Sequence, residues 1–307
     1  MASGVPSAGA DHPVAIIVPT YNRPARLGQC LAHLARLEGG PYRTIVVDDG
    51  GDQPVDALCH PYRDWVELVR KVNGGPATAR NAGAAAARSG DLLAFTDDDC
   101  SPRPDWITRL VAAHAGVKGR LVGGRVDNAL PDNVYSSASQ TLCSYLYEYF
   151  RASGSELTFF TSNNMCCRRD DFLASGGFDE SFPIPAGEDR DFGIRWGEGG
   201  GELVYVPDAV VDHAHDLDLS TFWRQHSNYG RGARQLHLTM DGRGHRRPKL
   251  ERSGFYLGMF SYPFRARSKR PLTEAALVGV SQLAMIAGYG SAVMAERKTR
   301  TPERASA

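Results

Sequence analysis

The sequence predicts an α/β fold with a mostly parallel sheet and helices on both of its faces. Three observations predict it. Short runs of aliphatic residues, bounded by turn residues, recur through the first half of the chain. Between them lie longer stretches that open on proline or are rich in alanine, as helices are. Polar clusters follow the apolar runs, and a sheet of this kind keeps its ligand-binding rim at the carboxyl ends of its strands.

The elements follow in order. Val14 to Val18, between Pro13 and Pro19, reads as a buried strand. Thr20 to Pro24 reads as a loop, and Pro24 suits the first turn of a helix running to about Leu37. Thr44–Val47 reads as a second strand ending in Asp48, Asp49 and Gly50, and Val66–Val69 as a short third. Ala77 to Arg88 is alanine-rich and helical. Leu92–Phe95 reads as another strand, ending in Thr96, Asp97, Asp98 and Asp99, and Pro104 opens a helix through His114. The second half is less regular. It predicts a strand at Leu121–Val126, a helix over Tyr135–Phe150, and a strand-like stretch Phe159–Cys167 leading into a helix that ends at Ser175-Gly176-Gly177. A helix starts in Gly187–Trp196, and Leu203–Val206 and Ala209–Val211 read as two short strands around Pro207-Asp208.

Composition narrows the function. The 307 residues are 42% hydrophobic and 23% charged, enough apolar material for a sizeable core and too much for disorder. Lys+Arg and Asp+Glu are 35 each, which argues against a simple polybasic nucleic-acid binder. The neutrality is a sum of unlike parts. Residues 1–223 carry 19 basic and 30 acidic side chains, residues 224–270 carry 12 and 2, and residues 271–307 carry 4 and 3. Six scattered cysteines without a CxxC pair fit a reducing cytoplasm, and the small, polar first 13 residues read as a flexible leader. Residues 275–295 lack any charge, which makes them a formal membrane-span candidate. Gly279, Gly288, Gly290, Ser281 and Gln282 weaken that reading in favour of a packed or membrane-surface helix.

Several clusters can carry chemistry. Asp97, Asp98 and Asp99 repel one another unless a cation or hydrogen bonds offset their charge, and hard ions such as Mg²⁺ and Mn²⁺ prefer such oxygens. On an extended strand end Asp97 and Asp99 point to one side, toward one ion. The same run also suits a solvated acidic turn. Asp48-Asp49 ends another rim strand, where a carboxylate can accept a hydrogen bond from a base or a ribose, or simply form an Asp-Gly turn. Arg80 can neutralise a phosphate, hold Asp49, or face solvent. Glu188 and Asp189 open a helix, where acids suit the dipole and where one carboxylate can serve as a general base. Asp191 and Arg195 are spaced for a helix-face ion pair. His213 can complete a carboxylate metal shell or lie on the surface with His215. Asn163 and Asn164 suit sugar hydrogen bonds or a turn. Cys166 and Cys167 read as core.

Taken in order, VAIIVPTYNRP, TIVVDDG, GPATARNAG, LLAFTDDDCSPRPDW, SNNMCCRRDDFLASGGFDESF and GEDRDFGIRWGEGG resemble family 2 glycosyltransferases of the GT-A fold. The resemblance covers roughly residues 14 to 235, and DAVVDHAH and the segment from Phe222 to Gly230 also look like this family. It implies a leader at 1–13, a GT-A domain at 14–235 and a basic, partly helical extension at 236–307. It implies that Pro19 and Tyr21 line the base site, that Asp49 bonds the base and that Arg80 lies near the nucleotide. Asp99 would be the direct metal ligand, with Asp97 or Asp98 on ribose or metal and His213 as a further ligand. Asp189 would be the general base and Glu188 would flank the acceptor. Asn163, Asn164 and Arg195 fall where sugar or acceptor contacts are expected. One departure is Gly51, where the family usually has serine.

The activity implied is metal-dependent, inverting transfer from a nucleotide-sugar, with a UDP-sugar favoured, to a hydroxyl of a glycan, lipid-linked or small-molecule acceptor. Mg²⁺ or Mn²⁺ would be the cofactor. The alternatives are a nucleotidyltransferase, for which no glycine-rich basic loop follows the first strand, and a non-catalytic sugar-nucleotide binder. The scattered thiols would place the protein in the cytoplasm, and the basic segment with the apolar helix after it would associate peripherally with an anionic membrane at its inner face, bind a phosphate-bearing acceptor, or form a solvated basic face.

Overall fold

The computed structural model describes residues 13–152, 158–182, 184–244 and 251–300. The expected leader therefore lies outside the described residues apart from Pro13. The chain divides into two compact units, one built from 1–129, 158–183 and 189–214, the other from 130–157, 184–188 and 215–307.

The first unit holds an eight-stranded sheet. Its strands are β1 (Val14–Thr20), β2 (Tyr42–Asp48), β3 (Val66–Arg70), β4 (Leu92–Phe95), β5 (Cys100–Pro102), β6 (Arg120–Asn128), β7 (Met165–Arg168) and β8 (Glu202–His213). They lie in the order β3-β2-β1-β4-β7-β6-β8-β5. Strands β3, β2, β1 and β4 run parallel, so Thr20, Asp48, Arg70 and Phe95 end on one rim. Antiparallel β7 then interrupts the parallel run between β4 and β6. Strand β8 is one strand where two were expected, because it bulges at Pro207–Ala209, opposite the step from Gly124 to Arg125 of its partner β6, and the ladder resumes at Val210. Strand β5 has no apolar run to announce it and is defined by its antiparallel pairing with the end of β8, with Cys100 opposite His213.

The helices of this unit are α1 (Pro24–Leu34), α2 (Asp56–Cys59), α3 (Pro76–Ala86) and α4 (Trp106–His114), with α6 (Arg169–Ala174) and most of α7 (Glu188–Glu198) following α5 (Val134–Ala152) of the second unit. Alternation along β1 explains their placement. Val14, Ile16 and Val18 join one core with Leu27, Leu31 and Leu34 of α1 and Trp106 and Leu110 of α4. Ile17 faces the opposite side, where Gly83 of α3 lies against it and Val47. On that side Phe95 packs with Phe172 at 5.3 Å and Phe178 at 5.7 Å between ring centroids, and Phe192 of α7 closes the cluster 5.0 Å from Phe178. Burial of each ring is worth roughly 1.5–3 kcal/mol.

The second unit is helical: α5, α8 (Leu219–Gly242), α9 (Ser253–Arg265) and α10 (Pro271–Arg300). The expected domain limit at 235 falls within α8. Asp218 caps α8 by accepting from the Thr221 N–H at 2.7 Å. Helices α8 and α10 meet backbone to backbone. A Cβ on Gly288 would stand 1.9 Å from Ser227 O, and one on Gly230 would stand 2.0 Å from Met285 O, so no side chain fits at either point. Arg234 adds a two-pronged bond to Glu296 at 2.9 and 2.6 Å.

His226 lies buried in α8 against Phe222, with ring centroids 4.3 Å apart, and its Nε2 has no hydrogen-bond partner among the described residues. Burial, and then the charge of His215, push its pKa down to about 4 from the ordinary 6.5. Between those values the unfolded chain binds a proton that the folded site refuses, so His226 costs stability as pH falls from 6.5 to 4. In urea titrations the wild type should lose stability relative to His226→Leu across that interval. A difference between the two that does not change with pH would contradict this.

Candidate active site

Every strand that ends on the parallel rim contributes to one acidic, cation-studded site. Strand β4 stops at Phe95, and the chain then turns, with the Cys100 N–H donating to Asp97 O at 3.1 Å. The turn replaces the extended spacing expected for Asp97 and Asp99, and the two carboxylates part. Asp97 Oδ1 accepts from Arg80 Nη2 at 2.7 Å, and the Arg80 side chain is almost fully buried beside the Phe178 ring. Asp99 instead faces His213, with Oδ1 3.2 Å from Nε2, and its other oxygen lies 3.3 Å from Arg23 and 3.5 Å from Arg26. Asp98 points inward. It accepts from the Thr20 hydroxyl at 2.7 Å and from Arg23 at 3.3 Å. Burial raises its pKa to about 6, against the opposing charge of Arg23 and with help from Asp99.

One oxygen of Asp99, the Cys100 sulfur and one nitrogen of His213 lie within 4.8 Å of one another. Burial holds the Cys100 thiol well above its usual pKa, so it stays protonated and is a poor, soft ligand. Asp99 and His213 remain as donors, and a carboxylate with an imidazole fits a divalent cation such as Mn²⁺. Burial alone would lower the His213 pKa, but its hydrogen bond to Asp99 and that carboxylate's charge hold it above its usual value. Backbone pairing fixes the pair in place: the Ala214 N–H donates to Asp99 O at 2.9 Å, and Arg26 donates to Ala214 O at 2.6 Å.

The loops after β1, β2 and β3 form a second part of the rim. Asp49 accepts from Lys71 Nζ at 2.5 Å, from the Gly74 N–H at 3.1 Å and from the Gly75 N–H at 2.7 Å. Both of its oxygens are thus used to tie the turn before α3. Asp48, its neighbour, accepts from the Gly51 N–H at 3.0 Å and lines a cleft of about 410 Å³ with Gly50, Gly51, Asp52, Pro54, Arg70 and Lys71. Gly50 has φ +76°, and a Cβ there would stand 2.5 Å from Asn73 N, so the Asp-Gly turn requires glycine. Asn22, also in the left-handed region at φ 52°, accepts from the Asp52 N–H at 2.8 Å and so joins the loops after β1 and β2. Pro19 is the penultimate residue of β1, and Tyr21, just beyond the strand, is 49% exposed.

Asp189, at the start of α7, is half-buried, and its Oδ1 accepts from the Arg190 N–H at 2.8 Å. Burial raises its pKa, while the charges of Arg190 and Arg80 work in the opposite direction. Arg80 therefore acts electrostatically on Asp189 while bonding Asp97. Glu188, at the helix start, is buried.

Two of the expected site residues are bonded into the surrounding scaffold. Asn164 is fully buried; its Oδ1 accepts from Trp106 Nε1 at 2.8 Å, and its Nδ2 donates to Arg125 O at 2.8 Å and Ala209 O at 3.0 Å. It holds the bulge between β6 and β8. Arg195 bonds Asp191 at 2.7 Å, Ser175 O at 2.6 Å and Gly177 O at 2.5 Å, fixing the turn after α6. Asn163 is different. Its Nδ2 donates to Cys100 Sγ at 3.6 Å, and its Oδ1 is buried with no partner among the described residues. Sequence reasoning missed Thr20, Asn22, Arg23, Arg26 and Lys71. The rim rule was a usable signal for Lys71, which directly follows β3. Arg23 and Arg26 are three apart at the start of a helix beside the rim.

The profile described as Glycosyl transferase family 2 matches residues 15–174, and that of Glycosyl transferase family group 2 matches residues 96–291. The pre-mycofactocin glycosyltransferase of Mycobacterium tuberculosis is 31% identical over 237 residues, covering 75% of this chain and 49% of that protein. The chain thus spans about half the length of that relative. The solved structure of the mannosyltransferase PcManGT from Pyrobaculum calidifontis, in complex with GDP-Man and Mn²⁺, superposes with a TM-score of 0.57 at 17% identity, over 95% of this chain and 82% of that one. GalNAc-T7 with UDP, GalNAc and Mn²⁺ superposes with a TM-score of 0.55 at 16% identity, over 72% and 47%. At these identities the likeness shows the fold, which is GT-A.

The hydrogen bonding of Asn164 yields a direct test. Asn164→Ala orphans a buried indole N–H and two carbonyl oxygens, so chemical denaturation should show a loss of at least about 2 kcal/mol. Unchanged stability would contradict this scaffold role.

Proposed function

The chain belongs to glycosyl transferase family 2, and on that premise we propose that it transfers a sugar from a nucleotide-sugar to an acceptor hydroxyl with inversion at the anomeric carbon. The observation that carries the reading is Arg80. It bonds one carboxylate of the acidic turn at 2.7 Å and acts electrostatically on the raised carboxyl of Asp189, so one cation links the turn to a candidate base.

In this reading the nucleotide lies along the rim. The base enters the cleft beside Asp48 and the Asp49-anchored turn, with Pro19 and Tyr21 at its edge. Asp97 faces the ribose and diphosphate side, with Asp98 buried behind it, and Arg80 adds positive charge there. Asp99 and His213 would hold a divalent cation, Mg²⁺ or Mn²⁺, which when bound neutralises charge on the diphosphate leaving group. Asp189 accepts the proton of the acceptor hydroxyl as that oxygen bonds the anomeric carbon. The bond from that carbon to the diphosphate oxygen breaks on the opposite face, and its electron pair leaves with the nucleotide. Burial strengthens Asp189 as a base by raising its pKa. Glu188 flanks it on the acceptor side, and the unpartnered oxygen of Asn163 offers an acceptor for a sugar hydroxyl. A single displacement needs no second carboxylate as nucleophile. We propose a UDP-sugar as donor and a hydroxyl of a growing glycan or glycoconjugate as acceptor.

A screen of sugar nucleotides for metal-dependent stabilisation and turnover would identify the donor. With that donor, Asp189→Asn should lower kcat about 10²–10⁴-fold while leaving donor Kd within a few-fold. Asp99→Ala should abolish metal-dependent donor binding. Near-full turnover by Asp189→Asn would remove it as the base.

A further inference from the structure

The second unit ends in two consecutive helices with apolar outward faces. On α9, Leu257 is 71% exposed, and Phe260 and Phe264 are exposed beside it at helical spacing. On α10, Leu272, Leu283, Ile286 and Met294 are exposed, and no charged residue occurs from Ala275 to Ala295. The two faces adjoin, since a Cβ on Gly279 would stand 3.7 Å from the Phe260 ring. The opposite side of α10 is already occupied. Gly288 and Met285 touch the backbone of α8, and Val278, Ser281 and Ala284 are fully buried. Single exposed apolar residues are ordinary, whereas a continuous stripe over two helices marks an interaction surface.

The rim of this stripe is basic. Arg252 precedes α9, and Arg265, Arg267, Lys269 and Arg270 fill the end of α9 and the turn into α10; all five are exposed. Arg265 lies 3.7 Å from Glu148 and Lys269 lies 3.0 Å from Asp132, but both partners of each pair are more than half exposed. Such pairs are weak and exchange readily for another anion.

We infer that this face binds the surface of an anionic bilayer, with the apolar side chains among the acyl chains and the arginines at the phosphates. Helix α10 is long and apolar enough to cross a membrane by length and composition. Its glycine contacts with α8 would be lost in a helix surrounded by lipid, so the helix lies in the interface instead. A second copy of the chain would bring the same cations together, whereas lipid phosphates neutralise them. The inference does not depend on the transfer reaction, and binding is read without it.

The test is co-sedimentation of the full chain with vesicles of phosphatidylcholine, with and without phosphatidylglycerol, at low and raised salt. The expected result is binding that requires the anionic lipid and weakens with salt. Each basic residue is worth about fivefold in partitioning, so Arg267→Glu/Lys269→Glu/Arg270→Glu should weaken binding at least about tenfold. Leu283→Glu/Ile286→Glu should abolish it. Circular dichroism melting reports folding of both variants; if the second unfolds, the first, in an exposed turn, carries the test. No binding to anionic vesicles, binding indifferent to the charge variant, or a dimer dissolved by Leu283→Glu without vesicle binding would each overturn the inference. Bound protein should be released by alkaline carbonate, and retention would mean a span instead.

Discussion

Three consecutive carboxylates in one tight turn are an electrostatic liability, and the first unit is arranged around resolving it. Each acid is met by a different element. Arg80 from α3 takes Asp97, Thr20 from the end of β1 and Arg23 take Asp98, and His213 from β8 with Arg23 and Arg26 takes Asp99. These partners come from positions 20 to 213, so all three charges are met together only in the assembled sheet. A buried carboxylate without such a partner would take up a proton instead of remaining charged. The pKa of Asp98, raised to about 6, shows how near that limit the turn stands.

The same accounting separates scaffold from chemistry. Asn164 and Arg195 use their polar atoms on carbonyls, an indole and a carboxylate, and they hold the bulge and the turn in place. Asp49 does similar work for the loop before α3. Asp189 and Asn163 retain capacity instead: one is a carboxyl whose pKa burial raises, the other has a buried oxygen with no partner among the described residues. Groups that fold the site are satisfied within it, and groups proposed to act on a substrate retain capacity for it.

Much of the fold was legible because hydrophobic pattern is local. Leu92–Phe95 forms a strand within the limits its apolar run predicts, and the rim follows from the order of runs and polar clusters. What escaped was tertiary. Strand β5, Cys-Ser-Pro, has no periodicity and exists through its pairing with β8. Alternation placed Asp97 and Asp99 on one side, but the chain turns at that point and sends them to different partners. Arg26 carries no local signal of the carboxylate it faces. The resemblance grouped the site residues by order, while only the packed structure distinguishes Asp48, lining the cleft, from Asp49, tied beneath it.

The central claim is that one carboxyl, Asp189, acts as base in a single displacement with no covalent sugar–enzyme stage. The most direct measurement is proton NMR of the first-formed product from a donor of known anomeric configuration, recorded before mutarotation or secondary transfer. The account predicts the opposite configuration at the anomeric carbon. A product that keeps the donor's configuration would contradict it.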